Sequence, residues 1–406
     1  MIRIAQSVNA IKDLPIDTEP ALVNQAVNIV GTSIDITNAR ITKSGSADQW
    51  IYYATALNNC YGRQLSIQVG EGEHFRHFGD VEWLYDFRVM AWSPSPHTDE
   101  WYDVSNFVLS APGGNLESWT GTIPASASGR IYITLQPIYT IARVFRDFRA
   151  LWTHPFVSPI NSSYVLGTTP SAAGFNRTIP ELPVYGAKIS NGSVGDKNAM
   201  VLVFGNHPGE TMGAWCFFAA VDWLLSGTTN AQDVLNWFDV YIYPMVNSRG
   251  AWNGNTRDEP IVDADHNRLW DTDGVAPSID AVNGSLTSIG NDLSVMIDFH
   301  NFYPRNLSES QQFNLWGDIA YGKNEKYLGL IDADIGAFGL DFGEGSFSAA
   351  SLATWATQWG PQVSITSENT PLKSRFINDW KEAGRAQMRA VRQMLLDADF
   401  DYGPNN

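Results

Sequence analysis

The chain has 406 residues, of which 44% are hydrophobic and only 17% are charged. This balance is typical of a globular protein and excludes an intrinsically disordered one. Asp and Glu number 43 against 26 Lys and Arg, which gives a formal net charge of −17. Such an acidic chain is a poor match for nucleic acid or an anionic membrane, so we expect neither as a partner. The length exceeds what one hydrophobic core usually fills, so we expect two domains.

Cysteine content and targeting signals predict an intracellular location. The two cysteines, Cys60 and Cys216, are too few and too far apart for a disulfide framework. Cys216 lies in an apolar run, where we expect a buried free thiol. Residues 1–20 contain no apolar stretch of signal-peptide length, and no window approaches the roughly 20 apolar residues of a membrane span. We therefore expect a cytoplasmic protein.

The first 160 residues have the pattern of β-strands. Apolar and polar residues alternate over 65–69, 81–89 and 131–135, with turn-forming residues between these runs. This alternation predicts an N-terminal antiparallel β-sandwich domain over residues 1–160. A short helix is expected over 141–151, and its arginines at a spacing of three are typical of a solvated face: Arg143, Arg146 and Arg149. A turn-rich stretch at 159–163 marks the predicted domain boundary.

Residues 161–406 have the pattern of an α/β domain. Apolar runs predict buried strands over 199–204, 238–244, 293–299 and 363–366. Helices are expected over 212–225 and 378–397. The second of these is amphipathic, with Asn378 as its cap and an apolar stripe that contains Trp380, Met388, Val391 and Leu395. Strands that alternate with helices predict a mixed sheet covered by helices on both faces.

Two of the seven histidines lie at the ends of predicted strands. His207 comes shortly after the strand at 199–204, and His300 ends the strand at 293–299. Sites in open α/β sheets form beyond the carboxyl ends of strands. Glu210 follows His207 across a Pro-Gly turn that can bring both side chains toward one point. Two imidazoles and a carboxylate are a ligand set for catalytic zinc, although His-x-x-Glu alone is a weak signal that helix capping also explains.

Further motifs follow in a fixed order. After His207-Pro-Gly-Glu-Thr come Asn247-Ser-Arg-Gly, Gly254-Asn-Thr-Arg257, Asp265-His-Asn-Arg268, the strand that ends in His300, and a later strand that runs into Glu368. In this order they resemble the zinc carboxypeptidase family, and most closely its cytosolic carboxypeptidase-like branch. One motif departs, because the family's Asn-Pro-Asp-Gly is Asn-Ser-Arg-Gly here. The resemblance is specific over 164–370 and diffuse over 1–160.

The resemblance implies a fold, an activity and a set of roles. It implies a zinc carboxypeptidase-like α/β domain over 161–406 that removes the C-terminal residue of a peptide or protein. It implies one Zn²⁺ per chain, held by His207, Glu210 and His300. It also implies that Glu368 is the general base and that Arg257 stabilises the oxyanion. By the same resemblance, Asn267 and Arg268 bind the terminal carboxylate of the substrate, and Asp265 orients the first zinc histidine.

Two departures from the family bear on the substrate. The family's mobile-loop tyrosine is missing from residues 339–351, where Phe342 and Phe347 stand. The motifs do not place any of the candidate substitutes, Tyr303, Tyr321 and Tyr327. Members that remove C-terminal glutamate carry an arginine in the segment before the base, whereas residues 345–367 contain no Lys or Arg. We therefore predict a preference for neutral or apolar C-terminal residues.

Two other functions remain open at this stage. An amidohydrolase of the same fold would use the same site on N-acyl amino acids or cell-wall peptides. A decayed enzyme would instead bind a glycan or a protein through its aromatic-rich N-terminal domain. A second group of possible metal ligands, His74 and His77 with nearby acids, is better explained as a solvated hairpin.

Overall fold

The computed structural model describes twenty stretches of the chain. They are residues 27–28, 33–35, 54–58, 65–70, 91–93, 99–103, 105–110, 118–123, 130–134, 137–174, 177–193, 195–253, 255, 257–262, 264–301, 313–317, 321–335, 340–344, 351–369 and 377–397. The predicted strand at 81–89 and the histidines His74, His77 and His97 lie outside these residues, as do Cys60 and Tyr303.

The strands described before residue 137 pair into two sheets. They are β1 (Val27–Asn28), β2 (Ser33–Asp35), β3 (Ala54–Asn58), β4 (Leu65–Gly70), β5 (Ala91–Ser93), β6 (Tyr102–Asp103), β7 (Ser105–Ser110), β8 (Ser118–Ile123) and β9 (Arg130–Thr134). One sheet has the order β1-β3-β9-β5-β6 and the other β2-β4-β8-β7. Most neighbours are antiparallel, but β1 and β2 each pair in parallel, with β3 and β4. The predicted run at 65–69 falls in β4, and residues 131–134 of the run at 131–135 fall in β9, while Leu135 lies outside the described residues. The β-sandwich itself stays a prediction.

The remaining strands build a large mixed sheet and smaller hairpins. They are β10 (Val157–Pro159), β11 (Val165–Thr169), β12 (Ala172–Gly174), β13 (Arg177–Ile179), β14 (Leu182–Tyr185), β15 (Ala187–Ile189), β16 (Asn198–Phe204), β17 (Phe238–Tyr243), β18 (Asp258–Glu259), β19 (Ala264–Asp265), β20 (Leu293–Asn301), β21 (Phe313–Gly317), β22 (Leu340–Glu344) and β23 (Val363–Asn369). Among the described residues, the large sheet has the order β10-β15-β17-β16-β20-β23-β21-β22.

The centre of the large sheet is parallel and its flanks are partly antiparallel. Strands β17, β16, β20 and β23 run in parallel. Strand β15 is antiparallel to β17, and β21 is antiparallel to β23. The predicted mixed α/β sheet is therefore confirmed, with four central strands where the apolar runs predicted them. Strand β10, which precedes residue 160, pairs with β15 in this sheet. The domain division at residue 160 stays a prediction.

The helices described are α1 (Ile141–Leu151), α2 (Thr211–Leu224), α3 (Thr229–Trp237), α4 (Ser248–Asn253), α5 (Pro277–Ile289), α6 (Asn324–Ile335), α7 (Leu352–Trp355) and α8 (Ile377–Leu395). Short 3₁₀ turns lie at His266–Arg268, Gly290–Asp292 and Ala356–Trp359. The predicted helices correspond to α1, α2 and α8. Since α8 begins at Ile377, Asn378 lies inside its first turn, and the predicted cap is wrong. No helix among the described residues is long and apolar enough to cross a membrane.

The large sheet is covered on both faces, as predicted. Side chains of successive strand residues point to opposite faces. On β16, Met200 and Leu202 accordingly pack into a core with α2 and α8, whereas Val201 and Val203 pack into a second core with α5 and α7. All four are fully buried, and each contributes about 1.5–3 kcal/mol of hydrophobic stabilisation. Cys216 of α2 is buried, as expected, and its thiol donates to the carbonyl oxygen of Trp380 at 2.9 Å.

The arginines of α1 do not share one solvated face. Arg143 is buried, stacks on the rings of Tyr139 and Trp215 with Cζ 4.2 and 4.3 Å from their centroids, and forms an ion pair with Asp99 at 2.5 Å. Arg146 is exposed. A spacing of three residues advances about 300° around a helix, so successive arginines diverge by about 60°. The prediction of a solvated face is wrong for Arg143, because that turn of α1 packs inward.

Candidate metal centre and active site

The site lies where three neighbouring parallel strands end. His207 follows β16 after a short turn, while His300 and Glu368 lie near the carboxyl ends of β20 and β23. The strands are in register, with Phe204 opposite Phe299 and His300 opposite Glu368. Side chains from three separate parts of the sequence therefore meet at one edge of the sheet, as parallel strands require.

The turn after β16 depends on a glycine. Gly205 has φ +89°, and a Cβ at this position would lie 2.6 Å from the Cα of Met245. Only glycine avoids both the backbone strain and this clash. The turn leads into α2, and Glu210 is the residue immediately before this helix. Gly213 allows α2 to approach β20 closely, because a Cβ there would lie 2.9 Å from the carbonyl oxygen of Phe299.

Three predicted zinc ligands converge in the structure. The Nδ1 atom of His207 lies 2.8 Å from Oε1 of Glu210, and Nδ1 of His300 lies 2.7 Å from Oε2 of the same carboxylate. The two Nδ1 atoms are 3.1 Å apart. All three residues are buried. Within the described residues, they are the group of His, Cys, Asp and Glu side chains whose arrangement could hold a metal ion.

Two aspartates turn the imidazoles toward this point. The Nε2 atom of His207 lies 2.9 Å from Oδ1 of Asp265, and Nε2 of His300 lies 2.8 Å from Oδ2 of Asp298. An ionised carboxylate only accepts hydrogen bonds, so each histidine donates from Nε2. Both Nδ1 atoms then face each other and the Glu210 carboxylate. Such an arrangement needs either a proton on an imidazole or a metal cation between the three groups, and it is the donor set that Zn²⁺ prefers.

The electrostatics of the triad also favour a cation. Burial alone would raise the pKa of the Glu210 carboxyl, but the adjacent His207 and His300 hold it well below its usual range. Burial would lower the pKa of His300, but the carboxylates of Asp298 and Glu210 raise it well above its usual value. Buried carboxylates thus create a negative field at the point where the ligand atoms meet. The backbone N–H of Asn301 donates to Oε2 of Glu210 at 2.9 Å and fixes that carboxylate.

Glu368 lies beside the triad in a different chemical environment. The residue as a whole is partly exposed, but its Oε2 atom is buried and accepts no hydrogen bond from the described residues. Desolvation and the nearby Glu210 carboxylate raise the pKa of Glu368 well above its usual range. A carboxylate without a fixed partner and with a raised pKa is suited to accept and release a proton.

The short hairpin of β18 and β19 carries Arg257 and Asp265. Arg257 Nη2 donates to Oδ2 of Asp265 at 2.6 Å, while the other oxygen, Oδ1, bonds His207 and accepts from the backbone N–H of Asn267 at 2.9 Å. Burial would raise the pKa of Asp265, but Arg257 and His207 hold it well below its usual range. One carboxylate therefore connects the arginine to the first histidine of the triad.

Asn267 and Arg268 follow in a 3₁₀ turn, and of the two only Arg268 is charged and partly exposed. The side chain of Asn267 is buried, with Oδ1 accepting from the N–H of Leu352 at 3.0 Å and Nδ2 3.4 Å from Nε2 of His300. Arg268 is partly exposed, and its Nη1 donates to the carbonyl oxygen of Asn267 at 2.8 Å. The Asn267 amide thus also ties the segment that begins α7 to the site.

Comparison with known proteins gives structural matches over nearly the whole chain. A metallo-carboxypeptidase from Burkholderia cenocepacia matches with a TM-score of 0.69 at 15% identity, over 89% of this chain and 93% of that one. A metallo-carboxypeptidase from Pseudomonas aeruginosa, in complex with (2-guanidinoethylmercapto)succinic acid, matches with a TM-score of 0.68 at 12% identity, over 91% and 96% of the two chains. The chain has the metallocarboxypeptidase fold.

Sequence comparison adds one curated relative of this fold. Cytosolic carboxypeptidase 6 of Caenorhabditis elegans is 31% identical over 112 residues, which are 26% of this chain and 24% of that protein. The match therefore spans about a quarter of the length of this relative. No protein-family model matches the chain.

Three other residues considered from the sequence are not part of the converging triad: Tyr321, Tyr327 and His266. Tyr327 is fully buried, and its hydroxyl donates to Gln387 at 3.4 Å. The hydroxyl of Tyr321 is 3.5 Å from the carbonyl oxygen of Thr357. Neither hydroxyl is bonded to a described residue of the triad. His266 is buried and, as predicted, is not one of the three converging ligands.

Asp298 and Asn206 are site residues that the sequence did not reveal. Asp298 is fully buried behind His300, and Asn206 Nδ2 donates to its Oδ2 at 2.8 Å. A signal was present for Asp298, because a charged residue two positions before His300 in an apolar strand must lie on the same face. No comparable pattern marks Asn206, whose partners come from distant parts of the chain.

Proposed function

We propose that the protein is a zinc-dependent metallocarboxypeptidase that hydrolyses the C-terminal peptide bond of peptides or proteins. One observation carries the proposal: the convergence of His207, Glu210 and His300 beside Glu368, which has no fixed partner among the described residues. The relatives that are carboxypeptidases by name support the same class of reaction.

In the proposed mechanism, Glu368 carries the proton. His207, Glu210 and His300 would hold the zinc ion, which would supply Lewis-acid chemistry toward a water and a carbonyl group. Glu368 accepts a proton from the attacking water and delivers it to the nitrogen of the leaving amino acid. The raised pKa of Glu368 supports this role, because the carboxyl must hold the proton between the two transfers.

Arg257 stabilises the oxyanion in the same proposal. A fixed positive charge helps most where negative charge develops in the transition state. The hydrogen bond from Arg257 to Asp265 orients the guanidinium, and Asp265 in turn orients His207. Arg268, with Asn267 beside it, binds the terminal carboxylate of the substrate, since a guanidinium matches a carboxylate in a two-point contact.

The proposed substrates end in a neutral or apolar residue. The described segment 351–367, which the Asn267 amide ties to the site, contains no Lys or Arg to pair with an acidic side chain. The net charge of −17 also repels acidic tails at a distance. Equal or faster release of C-terminal Glu than of Leu or Phe from matched peptides would contradict this preference.

The test uses the purified full chain, loaded with Zn²⁺, on a library of peptides that differ at the C-terminus. Mass spectrometry should detect products shortened by one residue, and a chelator should abolish them. Glu368→Gln should lower the rate by about two to four orders of magnitude, while the surface control Glu181→Gln should leave it unchanged. Cleavage of N-acyl amino acids but not of peptides would indicate an amidohydrolase. Zinc binding without any hydrolysis would indicate a binding protein.

A further inference from the structure

A continuous chain of buried hydrogen bonds runs from His300 to Ser278. Nε2 of His300 bonds Oδ2 of Asp298 at 2.8 Å, and the same oxygen accepts from Nδ2 of Asn206 at 2.8 Å. Oδ1 of Asn206 lies 3.1 Å from Nδ1 of His266, whose Nε2 is 3.0 Å from the hydroxyl of Ser278. Every member of this chain is buried.

The orientation of the Asn206 amide is fixed by its other neighbours. The indole N–H of Trp270 also reaches Oδ1 of Asn206, at 3.0 Å. An indole nitrogen only donates, so the Asn206 atom that faces it must be the oxygen, which leaves the amide nitrogen to face Asp298. His266 must then donate from Nδ1 and accept from Ser278 at Nε2. Each donor and acceptor in the chain therefore has one consistent assignment.

The orientation of the Asp298 carboxylate depends on the Asn206 amide, because only one of the two carboxylate oxygens is hydrogen-bonded by the described residues. Oδ1 of Asp298 accepts no hydrogen bond from the described residues, whereas Oδ2 takes both the Asn206 and the His300 bonds. A fully buried carboxylate that is hydrogen-bonded through only one oxygen keeps its orientation only if a second donor also fixes that oxygen. Asn206 is the side-chain donor that does so apart from the metal ligand itself.

We propose that Asn206 is a positioning residue of the metal centre, which fixes Asp298 and thereby sets the ring orientation and tautomer of His300. The proposal rests on the metal site of the proposed function, but not on its hydrolytic activity. In Asn206→Asp an acceptor replaces the amide nitrogen at nearly the same size. The two carboxylates then oppose each other, and Asp298 no longer holds the His300 ring in place.

The experiment measures metal affinity rather than turnover. The full-length wild type and Asn206→Asp are titrated with Zn²⁺ against a chromophoric chelator, and the visible spectrum of the Co²⁺ form is recorded. The variant should bind Zn²⁺ about 10- to 100-fold more weakly, as for other partners of ligand residues. Its Co²⁺ bands should shift, because the position of one nitrogen ligand changes.

Asn324→Asp is the matched control. Asn324 is as deeply buried, and its amide also bonds in both directions, to the carbonyl oxygen and N–H of Ser364 at 3.0 Å each. This variant should lose thermal stability yet keep the wild-type Zn²⁺ affinity and Co²⁺ spectrum. An equal loss of metal affinity in the control would overturn the proposal, since the effect would then reflect general destabilisation.

Unchanged Zn²⁺ affinity and an unchanged Co²⁺ spectrum in Asn206→Asp would also overturn the proposal that Asn206 positions the metal centre. If that variant does not fold, Trp270→Phe removes the indole N–H while keeping an aromatic ring of smaller size, and it should weaken Zn²⁺ binding by about 3- to 10-fold, the value of one hydrogen bond. Wild-type Zn²⁺ affinity in Trp270→Phe would likewise overturn the proposal. Metal binding by the wild type without hydrolysis contradicts only the proposed function. Absence of metal binding contradicts both.

Discussion

His300 and Glu368 are register partners on the neighbouring parallel strands β20 and β23. Paired residues on adjacent strands project from the same face of a sheet. A proposed metal ligand and the proposed general base are therefore placed beside each other by backbone pairing rather than by loops. The same pairing sets Asp298 opposite Thr366 two residues earlier. Rigid strands thus carry the proposed chemistry, and the arginines come from the turn and hairpin beside them.

Arg257 and Arg268 should have separable kinetic effects. We expect Arg257→Ala to lower kcat by about 10²–10³, since it removes a charge that acts on the oxyanion. Arg268→Ala should act mainly through a raised KM, because the terminal carboxylate is bound in both the ground and the transition state. Initial rates on one matched peptide series check both, with the exposed Arg146→Ala as control. A rise in KM alone for Arg257→Ala would assign that residue to substrate binding instead.

His266 should make the stability of the fold depend on pH. Burial, with a smaller effect from the charge of His207, lowers the pKa of His266 from 6.5 to about 3. Between pH 6.5 and pH 3, His266 is therefore protonated in the unfolded chain but not in the folded chain. The stability due to this histidine is complete above pH 6.5 and is lost as the pH falls, with a slope of up to about 1.4 kcal/mol per pH unit.

Urea unfolding at several pH values tests this effect against His266→Gln. The variant should be less stable at pH 7, yet its stability should fall less steeply between pH 6.5 and pH 4.5 than that of the wild type. The difference between the two slopes isolates His266 from the other titrating groups. Parallel curves for the two proteins would mean that His266 is protonated in the folded state.

Arg249 should be essential for the hairpin that carries Arg257. It stands where the family motif has aspartate, and it forms a buried ion pair with Glu259 at 2.5 Å. Glu259 also accepts from the N–H groups of Ile261 and Val262, within the connection between β18 and β19. Removal of one partner leaves a buried charge without compensation, so Arg249→Met should lower the free energy of unfolding by about 3–5 kcal/mol.

The matched control for this variant is Arg392→Met. Arg392 pairs with Asp233 at 2.9 Å, but both side chains are partly exposed, and such pairs contribute at most about 1 kcal/mol. Chemical denaturation of the two variants gives the comparison. A similar small loss in both would mean that the Glu259 charge is compensated by its backbone donors alone.

The sequence predicted those parts of the fold that have a regular pattern. Continuous apolar runs located the four central strands, and the ordered motifs located three side chains that converge and could hold a metal ion. The sequence patterns did not predict the surroundings of a side chain where those surroundings are formed by residues distant along the chain. Arg143 is buried because Tyr139, Trp215 and Asp99 surround it, and its spacing on α1 carries no sign of this. The role of Asn206 likewise depends on Trp270 and Asp298, which lie far along the chain.

Metal removal and return tests the central claim most directly. Chelator-treated full-length protein is titrated with Zn²⁺, and the release of C-terminal Leu or Phe from a peptide is measured together with the zinc that is bound. The proposed site predicts no release without metal, and a rate that rises in proportion to bound zinc and reaches its maximum at one ion per chain. Full release by the metal-free protein, or none at one bound zinc, would contradict it.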